Sequence, residues 1–331
     1  MRFFEHQQAA RARSLRLVAL FALAVAATVL GIHFALLACW WLMNAWLPIE
    51  LPLPRLFLSV NVGVTLLLVL GSWWIEASNL ASPGAAQRLA RRLGAREARR
   101  GDGAAEQRLC NIVDEVAIAS HMPRPQVMVL PRVQAINALA IGMAETESVV
   151  MVTQGALDWL TRDELQGLVA HECSHIHEGD TRLNMQLAGM VGGLELVWRL
   201  GDDLREHTAL GTLAGWAVMA VGSFGWWAGR ALQAAVSRQR ELLADARAVQ
   251  WTRSRDGLGG VLRKALMQRQ QPGATASDPA WSAALHHLLL VGTSERGGWF
   301  DSHPPLATRI RRLYGRTMPP LPLQSGLASG L

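Results

Sequence analysis

The segment LTRDELQGLVAHECSHIHEGD, residues 160–180, decides the fold. Thr161 is followed three residues later by Glu164, which matches a capping box and predicts a helix that begins near Arg162. Leucine, valine and isoleucine then recur at helical spacing, and Gly179 stands where a glycine commonly ends a helix. We therefore predict a capped amphipathic helix between Arg162 and Gly179.

That helix carries His171-Glu172-Cys173-Ser174-His175, the pattern HExxH. Residues four apart share one face of a helix, so both imidazoles can bind one Zn²⁺ at about 2.0–2.1 Å. Glu172 projects beside that face, where it can take a proton from water at the open position of the metal. The alternative is a surface pair of histidines with a salt-bridging glutamate. Cys173 points away from the metal face, so we expect it to pack in the core.

A catalytic zinc site needs a third protein ligand. Residues 237–251 predict another helix, and in its segment SRQRELLADARAV the residues Glu241 and Asp245 share a face. We predict that Glu241 is the third ligand and that Asp245 accepts the outer N–H of His171, which fixes the tautomer of that imidazole. The alternative is an acidic pair solvated among neighbouring arginines.

The composition indicates a membrane protein. Of the 331 residues, 50% are hydrophobic and only 18% are charged, against about 25% in soluble proteins. These values exclude a disordered chain and a nucleic-acid-binding tail, and they disfavour an ordinary soluble enzyme. The three cysteines are scattered, so they predict reduced thiols and no disulfide framework.

Two long uncharged runs predict a transmembrane hairpin over 15–75, with spans at about 15–38 and 56–75. Tryptophans follow the first span as an interfacial belt would, and a short turn rich in proline separates the runs. By the positive-inside rule both flanks are cytoplasmic. The arginines that set this orientation are Arg2, Arg11, Arg13 and Arg16 before the hairpin and Arg88, Arg91, Arg92, Arg96, Arg99 and Arg100 after it.

Two further segments are candidate membrane helices. Residues 209–229 carry no charge and contain glycines at small-xxx-small spacing, which lets helices approach closely. Residues 183–200 are less apolar and contain Glu195, so they either span the membrane or lie at its interface. We favour four spans, in which case an intramembrane Glu195 needs a partner or a water-filled cavity.

The remaining residues predict a catalytic domain in two parts, 76–182 and 231–314. An amphipathic helix over 104–122, stopped by the Pro-Arg-Pro of 123–125, precedes strands at 126–130 and 148–153 with an edge strand between them. Residues 1–14 form a basic cytoplasmic N-terminus, 270–280 a loop and 315–331 a loose tail.

The ordered set of motifs resembles the HtpX-like membrane zinc metallopeptidases, which are related to the CAAX prenyl proteases. The motifs, spread over about 1–314, are RLCNIVDEVAIASHMPRPQVMVL, NALAIG, VTQGALDWLTRDELQGLVAHECSH, SRQRELLADA and SHPPLATRIRRL. The resemblance implies a predominantly α-helical membrane protein with a zincin-type domain, a small β-sheet and one zinc on His171, His175 and Glu241. It also implies proteolysis of damaged or misfolded membrane proteins at the inner membrane of a bacterium, with the catalytic domain in the cytoplasm.

Three further residues take their roles from the resemblance alone. Asn137 and Ala138, at the edge strand, are implied to hold the backbone of the substrate. His303 is implied to stabilise the oxyanion, and its alternative role is to cap the helix over Arg309–Leu313.

The sequence analysis thus predicts a zinc metalloendopeptidase whose partners are polypeptides and the lipid bilayer, with no nucleic acid. An intramembrane protease with HExxH inside a span is disfavoured, because Asp163, Glu164, Glu178 and Asp180 flank the motif. A non-catalytic membrane scaffold with a structural zinc is the other alternative. It would need a fourth protein ligand, for which the sequence offers no convincing candidate.

Overall fold

The computed structural model of the chain describes residues 2–46, 52–101, 103–206, 209–270, 301 and 303–323. The loop predicted after Gln270 and residues 324–331 of the predicted tail lie outside this part of the chain. The helices are α1 (Arg2–Trp46), α2 (Phe57–Ala81), α3 (Ala85–Arg92), α4 (Ala104–Ser120), α5 (Gln154–Trp159), α6 (Arg162–His177), α7 (Asp180–Arg205), α8 (Ala209–Thr252), α9 (Arg255–Gln270) and α10 (Leu306–Tyr314). The strands are β1 (Arg96–Glu97), β2 (Gln126–Leu130), β3 (Ala138–Ile141) and β4 (Val149–Thr153).

The chain divides into two compact units. The helical unit falls within 1–78 and 186–233, and the sheet unit within 79–185 and 234–331. In the described residues, two stretches are long and apolar enough to cross a membrane: Ala19–Trp46 with mean hydropathy 2.3 and Phe57–Asn79 with mean hydropathy 1.8. They overlap the two spans predicted at about 15–38 and 56–75, and the hairpin itself stays a prediction. Spans at 183–200 and 209–229 stay a prediction.

Small residues bring the helices of the helical unit into close contact. A Cβ added at Gly215 would lie 2.5 Å from the carbonyl oxygen of Gly201, and one at Gly193 would lie 2.5 Å from that of Val69. Such close backbone approach is what small residues allow in membrane helices. Glu195 pairs with Arg199 one turn further along α7, at 2.7 Å, which supplies the partner that a membrane location would require.

The sheet unit contains four strands in the order β1-β2-β4-β3. Strands β2 and β4 are parallel, whereas β3 is antiparallel to β4 and β1 is antiparallel to β2. Strand β3 is therefore an edge strand, as predicted for the segment between the two β-branched runs. The strand bounds 126–130 and 149–153 agree with the prediction to within one residue.

Both faces of the sheet are apolar because helices cover both. Alternate residues such as Val150 and Val152 face a core built mainly with α4, α6 and α9. Their neighbours Val149 and Met151 face a second core, to which α3 contributes its alanines. The sheet is thus the middle layer, and the HExxH helix α6 packs against its edge strand β3.

Three boundaries differ from the sequence prediction. Helices predicted separately at 209–229 and 237–251 are one helix, α8, because the residues that join them contain no proline or glycine after Gly229. Helix α4 ends at Ser120, where His121 adopts a left-handed φ of 55°, before the Pro-Arg-Pro is reached. Residues 315–323 are not loose, since Arg263 binds the carbonyl of Pro319 at 2.7 Å.

Candidate metal centre

The helix that carries HExxH begins and ends where the sequence predicts. The N–H of Thr161 donates to Glu164 at 2.8 Å and the N–H of Glu164 faces Thr161 Oγ1 at 3.4 Å, so the capping box is formed. Gly179 follows the helix with φ +72°, the left-handed conformation that terminates a helix. Glu164 also accepts from the buried ammonium of Lys264 at 2.7 Å, which ties this end of α6 to α9.

Three side chains from α6 and α8 converge on one point. The Nε2 atoms of His171 and His175 lie 3.2 Å apart. Glu241 Oε2 lies 3.5 Å from the first of these nitrogens, and Glu241 Oε1 lies 3.4 Å from the second. Two ligands at about 2.0–2.1 Å from a tetrahedral Zn²⁺ are separated by about 3.3–3.4 Å. One ligand atom from each of the three residues lies within 4.8 Å of the others, so the group is compact enough to hold a metal ion.

The local charges also fit a divalent cation. Four buried carboxylates surround the site, and two guanidiniums bind them, so the carboxylates outnumber the arginines. Buried charges that lack compensation are costly, so this arrangement favours a bound cation. The carboxylates are Glu172, Asp180, Glu241 and Asp245, and the guanidiniums are Arg240 and Arg309.

Each histidine of the group turns its other ring nitrogen to a carboxylate. His171 Nδ1 lies 3.1 Å from Asp245, where the sequence predicted this contact. His175 Nδ1 lies 2.9 Å from Asp180, which the sequence analysis missed. Asp180 is itself bound by Arg240. Carboxylates in this position fix the tautomer and orientation of metal-binding imidazoles.

Arg309 is the second residue that the sequence analysis missed. Its side chain is fully buried, donates to both oxygens of Asp245 at 2.9 and 2.6 Å, and lies 3.1 Å from Glu241. Burial alone would lower the pKa of Arg309, but the two carboxylates raise it. A signal did exist: Arg309 stands on the apolar stripe of α10, between Leu306 and Ile310, where a charged side chain needs a buried partner.

The third donor is an ionised carboxylate. Burial on its own would raise the pKa of Glu241, yet the charges of His303 and Arg309 and the hydrogen bonds with the two histidines of HExxH lower it well below its usual value. A ligating carboxylate must be deprotonated. The surroundings of Glu241 thus hold it in the form that binds metal.

Glu172 is buried beside the two histidines, and its Oε1 has no hydrogen-bond partner within the described residues. Burial raises the pKa of its carboxyl group. A buried, unpaired carboxylate next to a metal site can accept a proton. The neighbouring Cys173 is fully buried in the main core, and burial raises the pKa of its thiol, so it is an inert packing residue as expected.

His303 lies at the same centre. Its Nδ1 is 3.3 Å from Glu241, and neither ring nitrogen has a hydrogen-bond partner among the described residues. The alternative role of a helix cap is wrong, because α10 begins at Leu306 after Pro305 and receives no side-chain cap. Arg238 donates to the carbonyl of Asp301 at 2.7 Å, which anchors the segment that carries His303 to α8.

Asn137 and Ala138 open the edge strand β3. The N–H of Thr153 donates to the carbonyl of Asn137 at 3.1 Å, so by the alternation of an antiparallel ladder the backbone groups of Ala138 and Ala140 point to the outer edge. Asn137 Oδ1 accepts the N–H of Ala138 at 3.0 Å. The side chain of Gln268 binds the backbone of residues 134 and 136 and steadies the approach to the strand.

An HExxH helix beside the edge of a mixed sheet, with a carboxylate from a later helix at the same point, is the arrangement of a metallopeptidase. The comparisons with known proteins identify the family. The chain belongs to Peptidase family M48, which it matches over residues 104–317. The matched region contains every residue of the centre described above.

The relatives agree with this assignment. The "Protease HtpX homolog" of Dictyoglomus turgidum is 35% identical over 213 residues, covering 62% of this chain and 68% of that protein. The homolog of Streptococcus uberis is 28% identical over 269 residues, covering 77% and 86%. The crystal structure of S. mikatae Ste24p matches with a TM-score of 0.39 and 15% identity, over 77% of this chain and 64% of that one. The predicted resemblance is confirmed, and the chain is a membrane metallopeptidase of the HtpX type.

Proposed function

We propose that the chain is a zinc-dependent endopeptidase that hydrolyses peptide bonds of misfolded or damaged membrane proteins. The observation that carries the proposal is the convergence of His171, His175 and Glu241 on one point, with the unpaired carboxylate of Glu172 buried beside them. The three convergent side chains would hold one zinc ion per chain. Zinc supplies Lewis-acid chemistry at such a site: it polarises a carbonyl group and makes water more acidic.

Other side chains of the site have separate roles in the proposed reaction. Glu172 accepts a proton from the attacking water and later gives it to the leaving amine as the peptide C–N bond breaks. His303 donates to the carbonyl oxygen of the substrate as negative charge develops there. Asp245 and Asp180 keep the two imidazoles in the tautomer that presents Nε2 to the metal.

We assign the edge of β3 to the substrate. A peptide in extended conformation can add to an edge strand through backbone hydrogen bonds, independently of its side chains. The carbonyl of Ala138 and the backbone groups of Ala140 lie on the outer edge and suit this mode, and Asn137 stands at the start of the strand. Both alanines are buried, so a substrate has to displace what covers them. Recognition through the backbone fits a protease that acts on unfolded segments of many sequences.

The two alternative functions have less support. A structural zinc site is closed by four protein ligands. In the part of the chain that the structure describes, the group of ligand atoms within reach of one another contains three residues. For an intramembrane protease, α6 would have to cross the bilayer, but charged residues stand at both its ends and it belongs to the sheet unit.

The decisive experiment compares Glu172→Gln with the native chain, purified in detergent. We expect the variant to retain one zinc per chain by mass spectrometry and to lose cleavage of casein and of an unfolded membrane protein. Glu115→Gln, the same change at an exposed glutamate of α4, is the matched control and should cleave normally. Normal turnover by Glu172→Gln would refute the assigned role, and zinc retained without any cleavage by the native chain would favour the scaffold.

We further propose that the chain lies in the inner membrane of a bacterium with its metal centre in the cytoplasm, because arginines flank the apolar hairpin on both sides. Protease digestion of spheroplasts tests this orientation. A tag at residue 331 should be protected until the membrane is opened. Digestion of that tag in intact spheroplasts would reverse the assignment.

A further inference from the structure

Helix α3 carries an arginine face without acidic partners. Ala85, Ala86 and Ala90 are buried on one side, and Arg88, Arg91 and Arg92 are exposed on the other. The helix contains no acidic residue. Among the described residues, none of these three arginines forms an ion pair with a carboxylate.

Several exposed arginines on other elements of the sheet unit have an acidic partner within salt-bridge distance. These pairs are Arg96–Glu106, Arg124–Asp114, Arg162–Glu115 and Arg247–Glu178. The arginine face of α3 (Arg88, Arg91 and Arg92) is therefore a concentration of uncompensated positive charge, which attracts anions.

A chain of hydrogen bonds locates this face next to the end of the second apolar helix. The candidate span in α2 ends at Asn79. Ser82 Oγ donates to the carbonyl of Asn79 at 2.6 Å, and the guanidinium of Arg88 binds both Ser82 Oγ and, at 2.6 Å, the carbonyl of Pro83. Two hydrogen bonds cover about 6 Å, so Arg88 is held close to the end of the candidate span.

We propose that the arginine face of α3 binds the anionic lipid headgroups of the bilayer surface at which α2 ends. Guanidinium groups match the geometry of phosphate oxygens and form bidentate hydrogen bonds with them. Arginines beside a membrane span gain in addition from the negative potential of an anionic leaflet. The inference depends on α2 crossing the bilayer and is independent of the chemistry at the metal centre.

The consequence concerns the sheet. Ala86 and Ala90 of α3 pack in the same core as Leu139 and Ile141 of the edge strand β3. Headgroups that hold α3 thereby hold the layer to which β3 belongs. An anionic bilayer surface would thereby restrain the sheet that carries the proposed substrate edge.

The test uses the full chain, reconstituted in phosphatidylcholine vesicles with a trace of spin-labelled phosphatidylglycerol or spin-labelled phosphatidylcholine. Electron paramagnetic resonance gives the fraction of each lipid that the protein immobilises, and the ratio of the two is the preference for the anionic lipid. Each arginine near the surface contributes about a fivefold factor at low salt. We expect Arg91→Gln/Arg92→Gln to reduce the preference by at least half and by up to about 25-fold.

Arg311→Gln/Arg312→Gln is the matched control, since it removes two exposed arginines from the last turn of another short helix. It should leave the preference unchanged, and Arg91→Lys/Arg92→Lys should retain most of it. In the native chain, 0.5 M NaCl should lower the preference, because salt screens exposed charges. The proposal is overturned if Arg91→Gln/Arg92→Gln keeps more than half of the preference or if the control variant loses as much.

Discussion

Replacement of the buried Arg309 by methionine should destabilise the metal-free protein severely. The guanidinium binds both oxygens of Asp245 and lies 3.1 Å from Glu241, and none of its surface is exposed. Methionine fills much of the same volume but leaves two buried carboxylates facing each other without a cation. Loss of one partner of a buried ion pair costs about 3–5 kcal/mol.

The loss can be measured as a shift in melting temperature. For a unit of 150–250 residues, 1 kcal/mol corresponds to about 2–4 °C. Arg309→Met should therefore melt about 6–20 °C below the native chain when both are held in detergent with a chelator. Tryptophan fluorescence on heating provides the signal. Added zinc should recover part of the difference, because a divalent cation compensates the carboxylates in place of the arginine.

A surface ion pair supplies the control. Arg162 pairs with Glu115 at 2.6 Å, but the two side chains are 53% and 42% exposed. Exposed pairs contribute about 0–1 kcal/mol, so Arg162→Met should melt within about 4 °C of the native chain. If Arg309→Met in chelator melts as high as Arg162→Met, the carboxylates do not depend on Arg309 and the charge argument fails.

Three further predictions follow from the contacts. Asp180→Asn should weaken zinc binding about 10–100-fold in competition with a chromogenic chelator, and unchanged affinity would remove Asp180 from the site. Gly215→Leu should lower the melting temperature and disrupt the helical unit, because a Cβ there meets the carbonyl of Gly201 at 2.5 Å; a variant as stable as the native chain would contradict that close approach. The guanidinium of Arg96 holds the pKa of Glu106 below its usual value. The pair therefore stabilises the fold fully above a pH of about 4.3, and this stabilisation is lost as the pH falls through the lowered pKa. The stability difference between the native chain and Glu106→Gln should accordingly shrink on acidification, and a difference that grows would refute the assignment.

The residues of the site could be predicted where a motif lies within a single helix. The capping box and HExxH are fixed by spacings of three and four residues, and Glu241 and Asp245 share a face for the same reason. Arg309 could not be assigned in this way, because its partners lie 64 and 68 residues earlier in the chain. Three arginines occur within four residues of α10, and only packing determines that one of them is buried.

The same limit explains what was missed in the fold. Helix α3 is too short for a clear period, and alanines form its buried side, so the sequence analysis used its arginines only to set the membrane orientation and predicted no helix there. Strand β1 has only two residues, both exposed, and it is defined by the backbone pairing of Arg96 and Glu97 with β2. Elements held by partners distant in sequence leave little pattern of their own.

The carboxylates around the centre come from separate elements, and this determines how the site responds to loss of its metal. Glu241 and Asp245 belong to α8 and are bound by Arg309 of α10, whereas Asp180 belongs to α7 and is bound by Arg240 of α8. Each guanidinium thus ties two elements together. Arg240 binds the oxygen of Asp180 that His175 does not use, whereas Arg309 approaches Glu241 Oε2, which also faces His171. The donors are held in position by these ties, so a cation that binds there would mainly neutralise charge, with little ordering of the chain to offset.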